Sequence, residues 1–401
     1  MLRVYLDNNA STPVLPEVFE AMRPYYLERF GNASSIHHYG QHARAAVEKA
    51  RNAVAVLLNA RPAEIIFTSG GTESDNLGIF GLVGRDDHVI TSSIEHSAVM
   101  NTCKRLQQMG LEVTYVSVNR KGEVEPDEVR KALQPNTRLI TIMMANNETG
   151  VIQPVEEIGQ IAQEADVFFH TDAVQAAGKV PIDVQKIRCD ALSISGHKIH
   201  GPQGSGALYL KKGTLIQPLL YGGNHERQRR AGTENLPGIV GLGKAAELSR
   251  LWLESSGPME MAATRDRLEK AILRSVDGTG VNGAGAPRVP NTTSIYFDHV
   301  EGEALVIALD LKGLAVSSGA ACSSAPSSLL MCCWPWAFPS SRRAAACALV
   351  WASRLRLKRL ISPSAWFLKL WRACVKFPRL IKRPWGNFHL YLAPAPAFAN
   401  V

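Results

Sequence analysis

Between residues 60 and 210 the apolar positions fall into short runs separated by longer amphipathic stretches. Ile65-Ile66-Phe67-Thr68-Ser69, His88-Val89-Ile90-Thr91, Val113–Val118, Leu139–Met144, Val167–Asp172 and Ala191–Ser195 are each short and rich in β-formers. Continuous runs of this length read as strands covered on both faces, as in a parallel sheet. The stretches between them, such as SDNLGIFGLV after Ser69, the start at Glu95-His96-Ser97 and residues 127–133, read as helices. This alternation predicts an α/β layer around a mostly parallel sheet. Ahead of it, residues 1–12 predict a short strand and a polar turn. Pro16–Phe30 predicts one helix with proline at its start, Phe30–Gly40 a polar loop, and Gln41–Leu58 a second helix.

Four of these strands deliver polar or glycine-rich clusters at their carboxyl ends, where ligands collect in open α/β sheets. One ends at Asp172 and another runs through Ser195 into Gly196-His197-Lys198, so both side chains should face one crevice. A lysine in such a crevice can form a Schiff base. A buried carboxylate is the partner that the pyridinium nitrogen of pyridoxal phosphate needs. Taken alone, the pair also reads as a strand-end aspartate making a turn and a surface lysine. Gly70-Gly71-Thr72-Glu73, between a strand and a helix, supplies free N–H groups and a positive dipole end, the makings of a phosphate cradle. His96 reads as a helix cap or core residue, or as an imidazole able to stack on a planar ring and move protons.

The chain has 401 residues, of which 46% are apolar, enough for a large core and two domains. Its 44 Lys and Arg exceed its 36 Asp and Glu, but the excess is local. Twelve of the basic residues and no acidic ones lie in Ala325–Val401, leaving 32 basic against 36 acidic before it. The body is mildly acidic, which removes charge as an argument for a nucleic-acid partner. Six of seven Trp and four of seven Cys (Cys332, Cys333, Cys347, Cys374) also fall in that tail. The other cysteines, Cys103, Cys189 and Cys322, are widely spaced and make no metal motif. With no secretory signal and no membrane-length apolar span, the expectation is a cytoplasmic protein with reduced thiols, bound to neither membrane nor nucleic acid.

SGGTESDN, SIEHSAV, ANNETGVIQPV, HTDAVQAAGK and SGHKIHGPQGSGALYL, in this order and spacing, resemble the cysteine desulfurases, class-V aminotransferase-like enzymes of the fold-type-I pyridoxal 5'-phosphate group. The resemblance runs from Tyr5 to about Ser324. It implies a large α/β domain with a mostly parallel sheet over residues 16–254, and a smaller α+β domain from residues 1–15 and 255–324. It also implies that Lys198 carries the cofactor, Asp172 pairs with the ring nitrogen and Gln175 with the ring hydroxyl. His96 stacks on the ring and moves protons, and Asn147 sits beside cofactor and substrate. Gly71, Thr72, Ser195 and His197 hold the phosphate, with Thr233 of RRAGTENLPG reaching across a homodimer. Cys322, in the small-residue loop VSSGAACSS, takes sulfur from L-cysteine as a persulfide and leaves alanine. A sulfur-acceptor protein, such as an iron–sulfur scaffold, follows. Cys322 would be a metal ligand only if a cluster were bound through it. A selenocysteine lyase, a transaminase and an inactive scaffold on the same fold are the alternatives, and the thiol at 322 separates the transaminase.

After Ser324 the resemblance stops. Such enzymes continue with a helix and an Arg-x-Ser-x-Gly strand whose arginine grips the substrate carboxylate. Back-translating Cys347-Ala-Leu-Val-Trp-Ala352 and reading one nucleotide earlier yields Arg-Phe-Ser-Leu-Gly. The same shift turns Met331–Phe338 into an amphipathic helical sequence. The expectation is a change of reading frame between about Ser324 and Met331. The rival is a genuine basic, Trp-rich tail that binds RNA or a membrane surface.

Overall fold

The computed structural model describes residues 3–319 and the backbone of residues 347–350. In chain order its strands are β1 (Val4–Tyr5), β2 (Ile65–Thr68), β3 (His88–Ser92), β4 (Glu112–Val116), β5 (Thr137–Thr141), β6 (Phe168–Asp172), β7 (Ala191–Ser195), β8 (Gly206–Leu210), β9 (Thr279–Val281), β10 (Thr292–Phe297), β11 (Leu314–Ala315) and β12 (Cys347–Val350). Seven of them make the main sheet, in the order β2-β8-β7-β6-β5-β3-β4. Neighbours from β7 through β4 are parallel, whereas β8 runs antiparallel to both β7 and β2. Strands β2, β3, β5, β6 and β7 therefore all end on one edge. Helices cover both faces, as the uninterrupted burial of β2, β3, β7 and β8 requires.

Several boundaries differ from the sequence reading, most by one to three residues at an end. The expected helix over Pro16–Phe30 is two helices, Pro16–Met22 and Pro24–Leu27, because Pro24 has no N–H to continue the first. The next helix starts at His38, three residues early, since His37 Nδ1 accepts from Gly40 N at 3.3 Å and caps it. Strand β5 ends at Thr141, yet Ile142 N and Met144 N still donate to His170 O and Asp172 O, carrying the chain on to the site.

A second, smaller core gathers Leu6, Ile272, Ile295, Phe297, Leu305 and Leu314 under two small sheets, β1-β11 and β12-β10-β9. Residues 347–350, beyond the expected limit of family-like sequence, thus pair antiparallel with β10, with Thr292 opposite Val350 and Ile295 opposite Cys347. A buried bidentate pair, Arg51 to Glu226 at 2.7 and 2.8 Å, ties the segment after residue 222 to the helix His38–Leu58. Glu226 also accepts from Phe67 N in β2, and Arg51 donates to Ile65 O, so no charge in the cluster is left unmatched. Among the described residues, no helix is long and apolar enough to cross a membrane.

Candidate active site

The ends of β2, β3, β5, β6 and β7 surround a cavity of about 270 Å³. From β2 comes the turn into the helix Gly71–Phe80. Gly70 there has φ +156° and ψ −175°, a conformation open essentially to glycine alone. Glu73, held by Arg230 at 2.8 Å and by Ser69 N at 2.7 Å, pins this turn. Despite its burial, those two donors hold the Glu73 carboxyl below its ordinary range. Beside the turn, Ser195 at the end of β7 is 2% exposed, and among the described residues its Oγ has no hydrogen-bond partner. An orphaned hydroxyl next to free amide groups at a helix start is what an anionic phosphate would satisfy. Burial, then the charges of Lys198 and Lys179, lower His197 to about 4, so its imidazole is neutral near pH 7.

At the opposite side of the cavity Asp172 is buried, with Oδ1 accepting from Val174 N at 2.8 Å. Burial raises its pKa, while His96, the Val174 N–H and Lys198 pull the other way. Burial, then the charges of Asp172 and Glu95, drive Asp75 well above the usual carboxylate range, and burial pushes Glu95 up to about 8. Ligand atoms of Asp75, His96 and Asp172 lie within 4.8 Å of one another. The pocket is thus rich in buried carboxyl groups that a positive ring nitrogen would relieve. His96 caps the helix Ser97–Gln108, its Nδ1 accepting from Ala98 N at 3.1 Å. A neutral His96 therefore carries its proton on Nε2. The Lys198 amine is buried and donates to the carbonyls of Asn9 and Ala10, the latter at 3.0 Å.

Nine of the expected site residues line this one cavity: Gly71, Thr72, His96, Asn147, Asp172, Gln175, Ser195, His197 and Lys198. Thr233 does not line it; the residue is exposed, on the segment anchored by Arg230 to Glu73. Cys322 lies outside the described residues. Gly319, three positions before it, lines the cavity together with Ser317, and three residues of chain reach about 11 Å at most. Sequence reasoning missed Asn9, Asp75, Glu95 and Lys179. Asn9 acts through a backbone carbonyl, which carries no side-chain signature. Asp75 stands within the quoted SGGTESDN, and its place one helical turn past Gly71 was the available signal.

These residues fit pyridoxal phosphate: a buried hydroxyl at a helix start with no partner among the described residues, buried carboxyl groups and a buried lysine, all lining one cavity. The aminotransferase class-V family model matches residues 4–351, past Ser324 and through β12. A cysteine desulfurase IscS of Methanosarcina thermophila is 52% identical over 337 residues, covering 82% of this chain and 83% of its own. A solved NifS-like protein superposes with a TM-score of 0.85 at 35% identity, covering 94% of this chain and all of its own. The solved structure titled SspA in complex with cysteine has a TM-score of 0.76 at 34% identity, covering 87% and 99%.

Proposed function

The chain belongs to the class-V aminotransferase family, and on that premise we propose its function. It is a pyridoxal-phosphate-dependent cysteine desulfurase of the fold-type-I group, converting L-cysteine to L-alanine. The observation that carries this is the convergence of Lys198, Asp172, His96 and the cradle of Gly71, Thr72 and Ser195 on one cavity. When bound, pyridoxal phosphate supplies an electron sink for charge developing at the substrate Cα.

The chain's own residues do the rest. Lys198 is the amine nucleophile, and once released it moves protons at Cα, with His96 Nε2 as the second proton carrier. The Gly71 and Thr72 amides, Ser195 Oγ and neutral His197 would hold the cofactor's phosphate. Asp172 would hold the positive ring nitrogen, Gln175 would meet the ring oxygen, and Asn147 would border the substrate. The Cys322 thiolate attacks the substrate sulfur: the carbon–sulfur bond breaks, a sulfur–sulfur bond forms, and the electron pair left on carbon is protonated to give alanine. The persulfide then passes to an acceptor protein, such as an iron–sulfur scaffold.

We propose a homodimer in which the partner's Thr233 completes the phosphate site. Its support is the exposure of Thr233 beside the Arg230–Glu73 anchor and a set of large exposed apolar side chains. These include Leu27 at 78%, Ile36 at 90%, Leu215 at 89% and Tyr221 at 83%. Light scattering at micromolar concentration should return twice the chain mass; a monomer that still turns over removes the shared site.

Absorbance of the purified protein before and after L-cysteine tests the main reading. A visible band that shifts on addition, with alanine and, in the presence of thiol, sulfide released in equal amounts, is the expected result. A cofactor-loaded protein that forms pyruvate or a transaminated product instead would reassign the chain to another reaction of its family.

A further inference from the structure

Lys179 is an ionisable side chain that the chemistry above leaves unused. It is only 7% exposed and lies behind the site, beside a second cavity of about 60 Å³ lined by Lys198, Gly178, Ser249 and Trp252. Its amine donates to Gln175 Oε1. At the other end of the same amide, Gln175 Nε2 donates to Asn9 O at 2.9 Å. That carbonyl also accepts from Lys198. Asn9 is fixed in turn by its Nδ2, which donates to Asn147 O at 3.0 Å and to Thr292 Oγ1 at 3.1 Å. Gln175 and Lys198 therefore share one backbone oxygen, and Lys179 joins them through the Gln175 amide.

The two ends of the Gln175 amide face partners of opposite kind. An ammonium or amine donates, and a carbonyl only accepts. A flipped amide would set Oε1 against Asn9 O, repulsive in either charge state of Lys179, and Nε2 against the Lys179 ammonium, repulsive whenever that group is charged, at a site with little water to screen them. The observed orientation leaves the second N–H of Nε2 for the cavity that Gln175 lines. We propose that Lys179 is a positioning residue, locking the Gln175 amide so that it offers an N–H, and not a carbonyl, to the cofactor's ring oxygen. A donor there favours the oxyanion form of that oxygen. This rests on the reading that Gln175 meets the ring oxygen. Burial and the neighbouring Lys198 lower Lys179 to about 7; its amine donates in either charge state.

The test is a pH titration of the visible band in the cofactor-loaded protein, with the cofactor dissociation constant as second readout. Variants are Lys179→Met, Lys179→Arg, Gln175→Ala and the double variant Lys179→Met with Gln175→Ala. Lys179→Met is expected to raise the band's midpoint by about one pH unit, a tenfold change in proton affinity, and to weaken cofactor binding about tenfold. Lys179→Arg, still a donor and with the small cavity to expand into, should keep the wild-type midpoint. Simple packing would instead favour the methionine. In the Gln175→Ala background, Lys179→Met should change neither readout further. A midpoint shift that persists in full there, or a Lys179→Met protein indistinguishable from wild type, overturns the proposal. Should Lys179→Met fail to fold, the arginine variant decides: a midpoint moved as far as that of Gln175→Ala overturns it. An unmoved midpoint in Gln175→Ala removes the ring-oxygen reading itself and the proposal with it, whereas a moved one beside an unchanged Lys179→Met removes the proposal alone.

Discussion

Lys198→Ala is expected to abolish covalent attachment of the cofactor. Borohydride should leave no reduced adduct on the chain, and turnover of L-cysteine should fall about 10⁴-fold or more. The magnitude follows from two losses at once. A positioned proton carrier contributes about 10²–10⁴-fold, and the same side chain is also the proposed nucleophile. Non-covalent binding should survive in part, since Asp172, Ser195 and the Gly71 and Thr72 amides are untouched. The variant also takes the Lys198 donor from Ala10 O, while Asn9 O loses one of two donors and keeps Gln175 Nε2. An unpaired acceptor costs about 1–3 kcal/mol, so a lower melting temperature is expected. Lys198→Arg supplies the control: it restores donors to both carbonyls but is too basic to act as a nucleophile. It should recover stability and not turnover. An adduct that persists in Lys198→Ala, mapped by peptide analysis to Lys179 or elsewhere, would remove Lys198 from its assigned role.

The site was legible because its side chains sit where strands end, and strand ends are marked by abrupt changes in residue type. Asp172 closes an apolar run, and Lys198 follows another by three positions. Both are buried, and the reading as turn aspartate and surface lysine fails on that burial. Strand direction was not legible: the apolar content of β8 is the same whether it runs with β7 or against it, and only its short connection to β7 implied reversal. The Pro24 break was written in the sequence and was outweighed by the apolar pattern around it. Lys179 could not be read, because Gly-Lys after a turn is the ordinary pattern of a solvated loop. Only the packing of Gly178 against Ser249 and Ile199 shows that this turn is buried. Asn9 was hidden for a different reason, since its carbonyl is available at every residue and only the fold selects one.

Restoring the alternative reading frame beyond about Ser324 should raise kcat/KM for L-cysteine by one to two orders of magnitude while leaving the visible band unchanged. The band depends on residues that precede position 324, all on the main sheet's edge. Turnover depends also on a group that grips the substrate carboxylate, and the shifted reading supplies an arginine from the codons of Cys347 and Ala348. A charge-assisted hydrogen bond contributes about 1.5–3 kcal/mol, equivalent to about 10- to 150-fold. The structure gives the position consequence. Strand β12 begins at Cys347, and its partner β10 includes Thr292, whose Oγ1 bonds the side chain of Asn9, the residue whose carbonyl receives Lys198. Residues entering on β12 are therefore one strand away from the contacts that hold Lys198. If the frame-corrected protein and this chain share one kcat/KM, the carboxylate is held by other residues and the altered tail is neutral for catalysis. If no single-base change in the encoding DNA restores Arg-x-Ser-x-Gly, the tail is genuine. Binding of RNA or of anionic vesicles to the intact chain, weakening with salt, then becomes the expected result.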